Sequence, residues 1–120
     1  MEKIISGDNL YFRLIREEDI DNGWLNWIND INNSETLDLK FPSSRESLIN
    51  YINDSLPPKA ILFAVVEIET NNFIGTARIV EIDHTNRSCN YGRFIGDTSL
   101  RGKGYGTEIV EIIQQYVFEQ

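Results

Sequence analysis

Polar and apolar residues alternate in the first patterned segment. In Leu10-Tyr11-Phe12-Arg13-Leu14-Ile15-Arg16, Tyr11, Arg13 and Ile15 share one face and Phe12 and Leu14 the other, which predicts a strand over 10–16. Glu17, Glu18 and Asp19 then place negative charge where a helix dipole favours it. Ile20, Trp24, Trp27, Ile28 and Ile31 recur at helical spacing, so an amphipathic helix is expected over 18–31, ended by Asn32-Asn33-Ser34. Ser43 as N-cap with Glu46 three residues on fits a capping box, just after Pro42. Leu48, Ile49, Ile52 and Leu56 form the stripe of this second helix, and Pro57-Pro58 stops it. Residues 61–68 are apolar and rich in β-branched side chains, Thr70-Asn71-Asn72 is a turn, and 73–82 is the return strand. A polar loop over 83–88 leads to a further strand at 89–95, where Gly92 suggests a bulge or a close backbone approach. After a loop over 97–103, residues 104–119 read as a third helix.

The order is β-α-α-β-β-β-α. Three strands in a row with short turns predict an α+β domain, an antiparallel sheet packed by helices. A chain of 120 residues, 41% hydrophobic and 25% charged, fits one domain over 1–120. The lone Cys89 cannot form an internal disulfide or a clustered zinc site, which suits a reducing compartment such as the cytoplasm, and no metal is expected. No apolar run approaches the roughly 20 residues that span a bilayer, and residues 1–8 lack the features of a signal peptide, so no membrane partner is expected. The formal charge of −8 repels a polyanion, so no nucleic-acid partner is expected, whereas a cationic amine is welcome.

One segment carries chemistry. Arg101-Gly102-Lys103-Gly104-Tyr105-Gly106-Thr107 lies between a strand and an amphipathic helix. Its glycines permit tight turns and let amide N–H groups approach a ligand, and the helix that follows contributes unsatisfied N–H groups at its positive end. With Arg101 and Lys103 these make a pyrophosphate cradle. Glycine spacing alone fits a plain helix-capping turn equally well. A Walker loop needs Ser or Thr directly after its Lys, and Lys103 is followed by Gly104. A Rossmann fingerprint needs a parallel βαβ context, and this loop follows an antiparallel meander.

The segment resembles the acetyl-CoA pyrophosphate loop of the GCN5-related N-acetyltransferase (GNAT) superfamily, with Arg101, Gly104 and Gly106 at that pattern's positions. Gly102 to Glu108 is similar to the branch that includes ribosomal-protein, amine and amino-sugar acetyltransferases, as are the opening Phe12-Arg13-Leu14-Ile15-Arg16-Glu17-Glu18-Asp19 and Gly75. The resemblance implies the acyl-CoA N-acyltransferase fold, acetyl-CoA as cosubstrate, and direct acetyl transfer to a primary amine on a small molecule or peptide. It implies that main-chain groups of Phe94, Ile95 and Gly96 pair with the pantetheine arm and polarise the carbonyl, and that residues 101–107 hold the pyrophosphate. The base would be a strand carboxylate, Glu81 or Asp97, each of which also reads as a solvated strand end. Tyr91 could bond substrate or pack. Trp24 and Trp27 lie on the helix that borders the acceptor site in the family, and packing suits at least one of them. His84 reads as solvated and Cys89 as a packing residue. The family's fold continues beyond the motif helix, so this chain is expected to lack one wall of the cofactor gap and to be weakly active. A non-catalytic coenzyme A-binding remnant is the alternative. The strand at 89–95 is then an open edge, part of the stripe Ile109, Val110, Ile112, Ile113, Tyr116 and Val117 is expected to face solvent, and a homodimer is the expected remedy.

Overall fold

A computed structural model describes residues 4–29, 44–56, 60–83, 85–86, 88–96, 100 and 102–118. Asp97, Arg101, Ile31, Ser43, Pro57-Pro58 and His84 lie outside them. Five strands, β1 (Ile5–Ser6), β2 (Leu10–Leu14), β3 (Ala60–Glu67), β4 (Asn72–Asp83) and β5 (Ser88–Ile95), form one sheet in chain order, every neighbouring pair antiparallel. Between β2 and β3 lie a π-helical turn (Ile20–Trp24), α1 (Leu25–Asn29) and α2 (Arg45–Asp54); α3 (Tyr105–Phe118) follows β5.

The two faces of the sheet build two cores. On one, Ile109, Ile112, Ile113 and Val117 of α3 pack on Leu10, Phe12, Phe63, Val65, Ala77 and Ile79. On the other, Ile20, Trp24 and Leu48 pack on Leu62 and Phe94. Of the six stripe residues, these four are at most 3% exposed, because the helix lies across β1, β2, β4 and β5 of this same chain, and Val110 and Tyr116 are half-buried. Each such aliphatic burial is worth about 1.5–3 kcal/mol.

Three local expectations are corrected. The first helix is broken, since Asn22 leaves helical geometry and Gly23 takes φ +129°. A Cβ on Gly23 would stand 2.8 Å from the Trp27 ring, and one on Gly96 would stand 2.0 Å from it. Trp27, which also meets the Phe73 ring at 4.9 Å, is wedged between two glycines on different elements. The capping box begins at Ser44 rather than Ser43: Ser47 N–H donates to Ser44 Oγ at 3.0 Å and Ser44 N–H to Ser47 Oγ at 2.9 Å. Ser44 has Ser47 rather than a Glu or Gln three residues on, and the Ser47 hydroxyl takes the reciprocal bond in its place. Gly92 marks no bulge. The β4–β5 register is continuous from Gly75↔Ile95 to Val80↔Asn90 and shifts only before Asp83, where Glu81 takes φ +54°. The close approach is at Gly75, whose added Cβ would stand 2.0 Å from the Phe94 carbonyl oxygen. Arg13 and Asp19 form a buried pair. The buried Arg13 guanidinium donates to both Asp19 oxygens, at 2.9 and 2.8 Å, and Arg16 N–H donates to Asp19 at 2.8 Å, joining β2 to the π turn. That bidentate hydrogen bond raises the Arg13 pKa further against the cost of burial.

Candidate functional site

The glycine-rich loop ends in α3, whose first backbone bond runs from Glu108 N–H to Gly104 O at 3.1 Å. The N–H groups of Tyr105, Gly106 and Thr107 precede any intrahelical acceptor and point out of the helix end. Gly102 and Gly104 take φ +90° and +82°, and an added Cβ at either would meet nothing within 4 Å. Glycine is required there by backbone conformation. The space in front of the amides is open to a ligand.

Two side chains fix that helix end. Tyr105 turns into the core and donates its hydroxyl to the buried Glu67 carboxylate at 2.6 Å; Thr70 donates to the other Glu67 oxygen at 2.7 Å. The bond to Glu67, then burial, push the Tyr105 phenol up to about 12. Glu108, in the first turn, accepts from Asn9 N–H and Leu10 N–H, each at 2.8 Å, and from the Asn9 amide at 2.9 Å. Its negative charge at the helix start is itself favourable. The β1–β2 turn and β3 thereby hold the start of α3 rigid. Cations gather beside it: Lys103 is exposed, and Arg93 of β5 lies 3.6 Å from where a Gly106 Cβ would be.

β5 is the edge strand of the sheet among the described residues. Gly96 N–H donates to Ile74 O at 2.9 Å, so antiparallel alternation directs Phe94 and Gly92 toward β4 and the main-chain groups of Tyr91 and Arg93 outward. On the face opposite α3, β4, β5, α2 and the π turn enclose a groove of about 550 Å³. Trp24, Tyr51, Arg78, Asn90, Tyr91 and Gly92 are among its lining residues. Arg78 donates Nε–H to Ser55 Oγ at 2.9 Å and stacks over the Tyr51 ring at 5.2 Å. Burial raises the Tyr51 phenol, against the opposing effect of Arg78.

Residues 9–120 match the family model of the acetyltransferase (GNAT) domain. This chain belongs to the GNAT acetyltransferase family. Solved structures agree on the fold. A spermidine N-acetyltransferase from Vibrio cholerae in complex with CoA and spermine aligns with TM-score 0.75 at 21% identity, over 92% of this chain and 64% of that one. A Vibrio cholerae protein described as a ribosomal-protein-serine acetyltransferase aligns with TM-score 0.70 at 26% identity, over 98% and 67%. A GCN5-related N-acetyltransferase from Brucella melitensis aligns with TM-score 0.73 at 18% identity, over 98% and 55%. This GNAT chain thus spans 64% of the length of the spermidine acetyltransferase. Among curated proteins no sequence matches it.

The expected site residues separate into two places on the GNAT domain. Gly102, Lys103, Gly104, Gly106 and Thr107 surround the open helix end, whereas Tyr105 can offer only its N–H, its side chain being spent on Glu67. Phe94 points into the second core, Ile95 packs on the first, and Gly96 lies under Trp27. Trp24 lines the groove from a nearly inaccessible position, while Trp27 packs on β5. Tyr91 is 45% exposed and lines the groove. Glu81 is exposed at the β4 irregularity and accepts from the Asn90 amide at 2.5 Å. Cys89 packs beside the first core, and burial pushes its thiol pKa up, opposite to what a nucleophile needs. Tyr51, Arg78 and Arg93 were not anticipated. An arginine inside the otherwise apolar run Ile74 to Val80 was the available signal for Arg78.

Proposed function

We propose that this domain binds acetyl-CoA at the N-terminal end of α3 and transfers its acetyl group directly to a primary amine held in the groove. The observation that carries this is the open, glycine-lined helix end, with the N–H groups of Tyr105, Gly106 and Thr107 beside Lys103 and Arg93. Amide donors and cations suit a pyrophosphate. Acetyl-CoA supplies an acyl thioester. The amine must be neutral to attack its carbonyl; the new C–N bond forms as the C–S bond breaks, and the amine's proton must leave. In this reading Glu81, oriented by Asn90, takes that proton through water, and Tyr91 contacts the acceptor. Main-chain donors on β5 orient the acyl arm.

Acetyl-CoA turnover with a panel of amines tests this. Glu81→Gln should lower kcat while leaving coenzyme A affinity unchanged. Coenzyme A binding with no turnover on any amine would favour a binding module in place of an enzyme. For the ligand-free protein the exposed outer side of β5 supports a further proposal, a homodimer in which a second copy covers the edge that the acyl arm would otherwise take. A monomer by light scattering at micromolar concentration would refute it.

A further inference from the structure

We propose that the acceptor carries an anionic group, a phosphate or a carboxylate, and that Arg78 pairs with it in the groove; this rests on the acetyl transfer proposed for the same site. Arg78 is half-buried on β4. Its Nε–H is given to Ser55 and its plane to the Tyr51 ring. Among the described residues no carboxylate forms an ion pair with it; the recorded pairs are Arg13–Asp19 and Arg45–Asp21. A guanidinium held by stacking and one neutral hydroxyl keeps its outer donors for a planar or tetrahedral anion. Partial burial of a cation without a counter-ion is unfavourable, so the arrangement is best completed by a ligand that brings one.

The rest of the lining agrees. Among the described residues no Asp or Glu side chain lines the groove; its polar members besides the arginines are Ser47, Thr76, Asn90 and the two tyrosines. Glu81, next to the rim, is bonded to Asn90. Ser47, Leu48 and Tyr51 of α2 line the groove from the flank of that helix. The overall charge of −8 draws cations toward the surface, but such fields are screened beyond about 8 Å at physiological salt. A contact at Arg78 is not screened in that way. A polyamine would bring a second ammonium toward Arg78 and find no carboxylate among the described lining residues. An amine whose body lies across Tyr51 and Tyr91, with its anion on Arg78, satisfies every group present.

The test uses the 120-residue chain and four amines: glucosamine, glucosamine 6-phosphate, muramic acid and spermidine. Coenzyme A is first titrated by calorimetry, which examines the acetyl-transfer reading separately. Each amine is then titrated into the coenzyme-bound protein, followed by tryptophan fluorescence, since Trp24 lines the groove. At least one anionic sugar should bind about tenfold or more tightly than glucosamine and spermidine, a margin of about 1.4 kcal/mol. Preference for the phosphate sugar or for muramic acid distinguishes the two anion sources. Arg78→Gln should abolish the margin, and Arg78→Lys, which keeps the charge, should retain part of it; circular dichroism confirms that each variant folds. Spermidine binding as tightly as the anionic sugars, an unchanged margin in Arg78→Gln, or no binding of any of the four overturns the inference. A protein that ignores coenzyme A yet keeps an Arg78-dependent anion preference supports it and overturns the acetyl-transfer reading instead.

Discussion

Replacing Gly104 by valine separates the backbone's need for glycine from the ligand's. Gly104 sits at φ +82° with open space where a Cβ would go. The cost to the folded protein is therefore conformational strain without a clash, about 1–2 kcal/mol. For a domain of this size that lowers Tm by roughly 4–8 °C. The cost to the ligand differs in origin. On the proposed assignment the new methyl groups crowd a pyrophosphate at this helix end, and losing one charge-assisted bond to it costs about 1.5–3 kcal/mol, or roughly 10- to 150-fold in Kd. Gly106→Ala is the control. Gly106 is helical, its added Cβ would lie at ordinary contact distance, 3.6 Å, from Arg93, and alanine there should raise stability by about 0.5–1 kcal/mol. Calorimetric titration with coenzyme A and ligand-free thermal unfolding read the two effects independently. Equal coenzyme A affinity in the wild type and Gly104→Val would refute the assignment of the loop, whatever happened to Tm.

Asp19→Ala leaves the Arg13 guanidinium buried without its partner and should cost about 3–5 kcal/mol in urea unfolding, with m unchanged. The double replacement Arg13→Met, Asp19→Leu should cost less than that single change, and a double variant as unstable as Asp19→Ala would contradict the account. Tyr105 is raised to about 12, so its contribution is fully present below its ordinary value of about 10 and is lost as pH rises through 12. Tyr105→Phe should flatten the alkaline limb of the stability curve between those values, and an unchanged limb counts against the Glu67 bond. Glu108→Gln weakens an acceptor shared by two backbone N–H groups; a loss of about 2 kcal/mol and faster amide exchange at Asn9 and Leu10 are expected, and full protection there would show that Glu108 does not brace the turn.

The order of β2 to β5 and the ligand loop could be read along the chain, whereas β1, two residues long, is too short to show an alternation. What could be read rests on neighbours in sequence. Alternation over β2, the β3–β4 hairpin and the run Arg101 to Thr107 are contiguous signals, whereas the pairing of β2 with β3, Leu14 opposite Phe63, joins strands far apart in the chain. The capping box was misplaced by one residue because Ser43 and Ser44 offer the same hydroxyl, and only the bond actually made distinguishes them.

The remainder was decided by distance in space. Helical spacing tolerates Gly23, and the break there follows from seating Trp27 against Gly96, which comes from the far end of the sheet. Glu108 meets Asn9 from 99 residues away, and Tyr105 meets Glu67 from 38, so nothing local shows that one braces the helix start and the other withdraws its side chain from the ligand. The groove is assembled from Trp24, Tyr51, Arg78 and Tyr91 on four separate elements. Periodicity assigns each of them to a face. Only the packed sheet brings their side chains around one space and leaves Arg78 there without a carboxylate among the described residues.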